Sequence, residues 1–328
     1  MSKIIIGIDV GGSITKIVGL RGRGHNKGAQ ICGPEFSSFQ GNDDVAYPKV
    51  RKEELTQKGG NSDAKMRADI VPASSRDGEL ITPMSVKAND PVASLFGAFG
   101  KFIDSNGISL SDIKQIMITG VGSSYIDRDI YGIPTTKTEE FLANGLGGLY
   151  MTELKKAVIV SMGTGTSIIS AQGDKIEHLG GTGIGGGTII GLSDIMLGIR
   201  SMKGITKKAE DGDLRNIDLM VGDISKTVLP NLPPDTTASN FGNVTDKPSD
   251  SDIALGILNL VFQSIAMAAV FASKSTDSND IVLIGNLATL KACKDVFNAV
   301  KSITGMNFII PENAEFATAV GAALVCER

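Results

Sequence analysis

Two short glycine-bearing segments have the residue types needed to hold a phosphate chain. The first is Asp9-Val-Gly-Gly-Ser-Ile-Thr-Lys16. Gly11 and Gly12 let backbone N–H groups turn toward an anion with no Cβ in the way. Ser13 and Thr15 add hydroxyl donors, and Lys16 adds a charge. Asp9 is a hard oxygen ligand for Mg²⁺, directly or through water. Taken alone, the same residues also describe a Gly-Gly β-turn with a solvated Asp. The second segment, Met162-Gly-Thr-Gly-Thr-Ser167, repeats the design with neutral hydroxyls around Gly163, Thr164, Gly165 and Ser167. Facing each other, two such loops would clamp a polyphosphate from both sides.

A third loop, Gly180 to Thr188, precedes an apolar helical pattern, so its glycines (Gly183, Gly185, Gly186 and Gly187 among them) suit an anion or the close approach of a nucleotide. Gly181, Gly183 and Gly186 match the dinucleotide pattern G-x-G-x-x-G. The chain about 20 residues on has no strand ending in an acid, so that context fails. The chain also has no G-x-x-x-x-G-K-[ST] loop. Glu139 and Glu140 open a helix. Thr136 with Glu139 fits a capping box, which leaves Glu140 free for chemistry. A Glu near a helix N-terminus is expected to have a lowered pKa unless burial offsets the dipole.

The elements that must position these loops recur in two copies. Lys3–Asp9 and Ser13–Leu20 read as strands about the Gly-Gly turn, and Lys156–Met162 and Thr166–Ala171 read the same way about Gly163. Gly173-Asp174 is a tight turn into a third strand, Lys175–Leu179. Each copy later has a strand ending in glycine, Ile113–Thr119 with Gly120 and Asp280–Ile284 with Gly285. Helices are expected at Asp90–Ser105, from about 135, at Thr188–Met202, at 253–273 and at Glu315–Val325. The pattern implies duplicated α/β domains with a cleft between them, residues 1–135 and 136–328.

The stretch from about 22 to 76 interrupts the first copy with nine Lys/Arg against seven Asp/Glu, so it is no basic tail. Removing it would join IVGLR to DGELITPMSV as one continuing hairpin. A net charge of −4 disfavours nonspecific nucleic-acid binding. Cys32, Cys293 and Cys326 have no disulfide or iron–sulfur spacing, which fits a reducing cytoplasm. Ile253–Ser273 carries no charge over 21 residues. Its Asn259, Gln263 and Ser264, and the lack of aromatic belts, favour a helix in a core or subunit contact over a membrane span.

Together GIDVGGSITKIV, TEEFLANGLG, VSMGTGTSI, GGTGIGGGTIIGL, GDLRNIDLMVGDI (Gly212–Ile224), TASNFG (Thr237–Gly242), VLIGN and FATAVGAAL resemble the type II pantothenate kinases. These have the actin/hexokinase/heat-shock-chaperone ATPase fold, with two duplicated ribonuclease-H-like domains. GDLRNIDLMVGDI and TASNFG are the most discriminating pieces. The resemblance implies ATP-dependent phosphorylation of pantothenate, with Mg²⁺, in a cytoplasmic homodimer with no nucleic-acid or membrane partner. Glu140 would be the general base and Asp9 would serve the metal. Gly11, Gly12, Ser13 and Lys16 would hold phosphate, and Thr164 and Ser167 would bond pantothenate or the transferring group. Gly183–Gly187 and Gly285-Asn286 would line the nucleotide, and helix 253–273 would make the dimer contact. One position departs. The family's Arg-Val pair, whose Arg contacts pantothenate and the reacting phosphate, is His178-Leu179 here. Imidazole lacks the planar fork and permanent charge of guanidinium. Either His178 takes that role, or another Arg does, or the substrate is another alcohol such as a sugar or a pantothenate analogue. A non-catalytic ATP-binding switch would carry the same loops.

Overall fold

A computed structural model describes residues 3–12, 14–22, 78–87, 90–225, 227, 232–243 and 248–325. Ser13, Cys32, Cys326 and the interrupting stretch after Gly22 lie outside them.

β1 (Ile4–Val10) and β2 (Ile14–Gly22) form an antiparallel hairpin. β2 pairs in turn with β3 (Gly78–Lys87), Arg21 opposite Glu79 and Gly22 opposite Gly78, so the hairpin does continue across the interruption. α1 (Pro91–Ser105) starts on an Asp90 side chain that accepts from the Ala93 amide at 2.7 Å, with Pro91 at the first helical position. β4 (Ile113–Thr119) lies parallel to β1, and the short β5 (Thr135–Lys137) lies parallel to β4. α2 (Glu140–Thr152) leads out of this sheet.

The second lobe repeats the order. β6 (Lys156–Met162), β7 (Thr166–Gln172) and β8 (Lys175–Thr182) form an antiparallel meander. α3 (Gly186–Leu197), α4 (Met202–Ala209), β9 (Leu219–Met220), α5 (Val221–Ile224), β10 (Thr237–Ser239) and α6 (Asp250–Ser275) follow. β11 (Asp280–Ile284) then lies parallel to β6, α7 (Lys291–Thr304) crosses over, β12 (Asn307–Ile309) lies parallel to β11, and α8 (Ala317–Leu324) ends the described chain. The first sheet runs β3-β2-β1-β4-β5; read from its far edge, the second runs β8-β7-β6-β11-β12. The duplication anticipated from the sequence is thus a duplication of topology.

Period-2 alternation decides what each sheet face meets. Ile4, Ile6, Ile8, Val10 and Ile17 pack with Leu95, Phe99 and Phe102 of α1. The opposite face of the same strands, through Val18 and Leu20, packs on Ala319, Val320 and Ala323 of α8. In the second sheet Val158, Val160 and Met162 face α6, while Ile159, Ile169 and Ile284 face Leu149 of α2 and Ala317 of α8. The α2–α8 pair is therefore a shared layer between the sheets. Its helices touch backbone to backbone: a Cβ on Gly147 would overlap the Ala317 carbonyl, and one on Gly321 would overlap that of Ala143.

Several expectations change. The helix expected over Thr188–Met202 ends at Leu197, because Gly198 adopts φ 69° and caps α3; a separate helix, α4, begins at Met202. The Thr136–Glu139 capping box is absent. Thr136 belongs to β5, where its hydroxyl accepts from Gln115, and Glu139 caps α2 without a side-chain bond. α6 is a core helix started by a reciprocal Ser249–Asp252 box. It is long and apolar enough to cross a membrane by length and composition, but 61% of its apolar window is buried within the protein.

Candidate functional site

Asp9 is the next-to-last residue of β1. It sits opposite Lys16 on β2 and beside Thr119 on β4, all on the sheet face turned toward α2 and α8. Lys16 Nζ lies 3.5 Å from Asp9 Oδ2, and both side chains are nearly buried, at 9% and 13% exposure. Burial pushes the Asp9 carboxyl above its ordinary range, and the lysine charge and hydrogen bond only partly oppose this. Gly120, at φ 86°, lets the chain turn away against this carboxylate, since a Cβ there would stand 2.7 Å from Asp9 Oδ1. Thr119 Oγ1 is buried beneath it without a partner among the described residues.

Glu140 opens α2 at the same end of the layer. Burial strips part of its hydration, and Asp9 repels its charge. Its carboxyl is therefore raised, with Lys16 opposing. The expected depression by the helix N-terminus loses to these two effects. One turn along, Asn144 is fully buried and accepts the Thr318 hydroxyl of α8 at 2.6 Å. Thr15, expected to add a donor, points the other way and accepts from Ser94 of α1 at 2.8 Å.

Across the layer, Ser161 and Ser167 are direct cross-strand partners in β6 and β7, with Gly181 of β8 beside Ser167. They occupy the second sheet as Asp9 and Lys16 occupy the first, a hydroxyl pair in place of an ion pair. Sequence reading missed Ser161. Its signal was its place in the repeat, where VSMG stands against IDVG.

The second hairpin, the third loop and the Gly285 turn form one body. The amides of Gly186 and Gly187 donate to the carbonyls of Gly163 and Thr164, both at 2.9 Å. Thr188 Oγ1 accepts from the Gly185 amide and donates to the Gly183 carbonyl. The first amides of α3 thus bond to the protein itself. Gly285, at φ 92°, repeats the Gly120 turn against the end of β6. A cavity of about 580 Å³ lies beyond it, between α7, β12 and residues 310–315. Its wall residue Ala314 accepts the Gly285 amide at 3.0 Å.

His178 on β8 reaches back to the start of α2, where its ring stacks on Phe141 at 3.8 Å. The structure therefore gathers Asp9, Lys16, Glu140 and, through its stack on Phe141, His178 at one end of the α2–α8 layer, while Ser167 and the Thr164 loop lie at the turn of the β6–β7 hairpin. Asn286 follows the Gly285 turn on the second-lobe side. No group of three or more His, Cys, Asp or Glu able to hold a metal occurs among the described residues. Cys293 is buried, its thiol pushed up to about 12 by desolvation.

The duplicated sheets define a protein of the actin-like ATPase fold. Solved structures agree. The activator of 2-hydroxyisocaproyl-CoA dehydratase from Clostridium difficile with bound ADPNP superposes with a TM-score of 0.58 at 12% identity, over 99% of this chain and 93% of that one. Component A of the Acidaminococcus fermentans (R)-2-hydroxyglutaryl-CoA dehydratase gives 0.57 at 14%, over 98% and 97%. A family model described as Fumble matches residues 149–301. A type II pantothenate kinase of Staphylococcus aureus (strain USA300) is 30% identical over 229 residues, covering 66% of this chain and 84% of that protein. One from Bacillus cereus (strain AH820) is 31% identical over 187 residues, covering 54% and 67%. The chain belongs to the type II pantothenate kinase family.

Proposed function

We propose that the protein transfers the γ-phosphoryl group of ATP to the primary hydroxyl of pantothenate, giving 4'-phosphopantothenate, the first step of coenzyme A biosynthesis. The observation that carries this reading is the meeting of Asp9, Lys16 and Glu140 at the cleft end of the α2–α8 layer. Phosphoryl transfer needs positioned phosphates, charge neutralisation, an aligned alcohol and exclusion of water. Gly11, Gly12 and Ser13 with Lys16 hold the phosphates from the first lobe, and Gly163, Thr164 and Gly165 hold them from the second. Gly183, Gly185, Gly186, Gly187, Gly285 and Asn286 line the nucleotide. The cavity bordering Thr289 and Ala314 has room for its base. Glu140 accepts the hydroxyl proton, and its raised proton affinity makes it a stronger base than a solvated glutamate. Thr164, Ser167 and His178 orient the acceptor.

A carboxylate set opposite a lysine fits Mg²⁺, which keeps several waters, needs only one or two protein carboxylates and shares the phosphates of its nucleotide. Asp9 would hold it, and a cation there would relieve the burial of charge that Lys16 only partly offsets. When bound, the ion supplies neutralisation of phosphate charge. Closure of the lobes, residues 1–135 and 136–328, would exclude water. A cytoplasmic homodimer joined through α6, whose Phe271 stays exposed, completes the reading.

The test is transfer from MgATP to pantothenate by the wild type, Glu140→Ala and His178→Arg. Glu140→Ala is expected to lower turnover about 10²–10⁴-fold while ATP binding survives. His178 at the family's Arg position favours one second reading, a kinase for another alcohol. Transfer to other alcohols but not to pantothenate would select it, and transfer to none would overturn both.

A further inference from the structure

The Phe141 and His178 rings lie face to face, centroids 3.8 Å apart and planes 6° apart. Phe141 is the residue after Glu140, in the first turn of α2. His178 sits on β8 opposite Ile169, on the face that packs toward α2. The stack thus ties the second-lobe meander to the turn that bears the candidate base. An unrestrained histidine on a strand rotates about χ1 and χ2. Both imidazole nitrogens lie in the ring plane. A ring held flat on Phe141 therefore keeps them off α2 and points them edgewise. No hydrogen bond or ion pair occupies His178 among the described residues, so its restraint is the stack.

We propose that Phe141 is a positioning residue for acceptor recognition. By stacking, it fixes the His178 ring so that the edge bearing its two nitrogens faces the polar groups of an alcohol substrate. This rests on the alcohol-kinase reading above. The orientation of the ring sets how well the acceptor is held, while the nucleotide is gripped elsewhere.

The experiment uses the full chain with MgATP and pantothenate, comparing Phe141→Leu and Phe141→Tyr with the wild type. Phe141→Leu is expected to raise the acceptor KM about threefold to tenfold, the range for losing one aromatic pair, with the ATP KM unchanged. Phe141→Tyr, which keeps the ring, should restore it. Leu at 141 should have no further effect in a His178→Ala background. A second readout needs no turnover. The chain has 2 histidines, so His178→Ala assigns the imidazole C–H resonances in a proton NMR spectrum. The His178 lines should be shifted upfield by the Phe141 ring, lose that shift in Phe141→Leu and keep it in Phe141→Tyr. Unshifted His178 lines in the wild type, or acceptor and ATP KM values rising together in Phe141→Leu, would overturn the positioning role. A wild type that shows the ring shift yet phosphorylates no alcohol would overturn the kinase reading, and with it any acceptor role for the pair.

Discussion

At the residue scale, the raised carboxyls carry opposite consequences for activity and stability. Glu140 must be deprotonated to accept a proton. The acid limb of kcat/KM against pH is therefore expected above the ordinary glutamate value of about 4.3. Removing the Asp9 charge should loosen the Glu140 proton, because Asp9 repulsion is one cause of the upward shift. Asp9 itself binds its proton more tightly in the folded than in the unfolded state. Stability is thus undiminished below about pH 4 and declines as pH rises through the folded-state value. Asp9→Asn should consequently raise the melting temperature of the ligand-free protein near pH 8 and leave it little changed near pH 4, while phosphoryl transfer is lost; scanning calorimetry at the two pH values checks this. Much of this constellation is legible in the sequence. Asp9, Gly11, Gly12 and Lys16 announce themselves by type and spacing, whereas Glu140 is singled out by a capping box that is absent and by the family resemblance. What residue types cannot convey is side-chain direction. Thr15 and Lys16 are neighbours in sequence, yet alternation along β2 sends Thr15 to Ser94 and Lys16 to Asp9. The upward shift of Glu140 likewise depends on a residue far away in the chain.

At the element scale, the two sequence pieces that most sharply mark the family meet on one buried carboxylate. Asp218, from GDLRNIDLMVGDI, accepts the Phe241 amide at 2.8 Å and the Thr237 hydroxyl at 3.2 Å, both from TASNFG. It also accepts Asn259 Nδ2 of α6 at 2.7 Å. These bonds hold β9, β10 and the Phe241 turn, at φ 56°, onto α6. Asp218→Ala would leave the Phe241 and Asn259 donors unsatisfied. It should cost at least about 2 kcal/mol in urea unfolding, with a smaller loss for Asp218→Asn. The strand–glycine–strand hairpins were readable because β-branched alternation and turn glycines reinforce each other. β12 and the β9–β10 pair escaped notice because two or three residues hold no period. α7 is a different case. Its Cys293, Phe297 and Val300 recur at helical spacing, so the sequence does carry its signal. The early end of α3 turned on a single backbone conformation at Gly198.

At the scale of the whole molecule, one nucleotide gripped by both lobes should stabilise both together. MgATP at about 100 times its Kd is expected to add about 2.7 kcal/mol to the unfolding free energy. The protection should appear by hydrogen exchange in β1–β2 and β6–β7 alike; protection of one lobe alone would contradict a shared site. The duplication also has a limit. Each sheet repeats the other, but the layer between them does not, since α2 leaves the first sheet while α8 comes from beyond the second. Val18 and Leu20 are therefore covered by Ala319 and Val320, some three hundred residues later. During synthesis the opening hairpin must wait, with that apolar face bare, until nearly all of the described chain has left the ribosome. The first sheet to be made is among the last to be sealed, and in the cell that interval is when a holdase chaperone has something to hold.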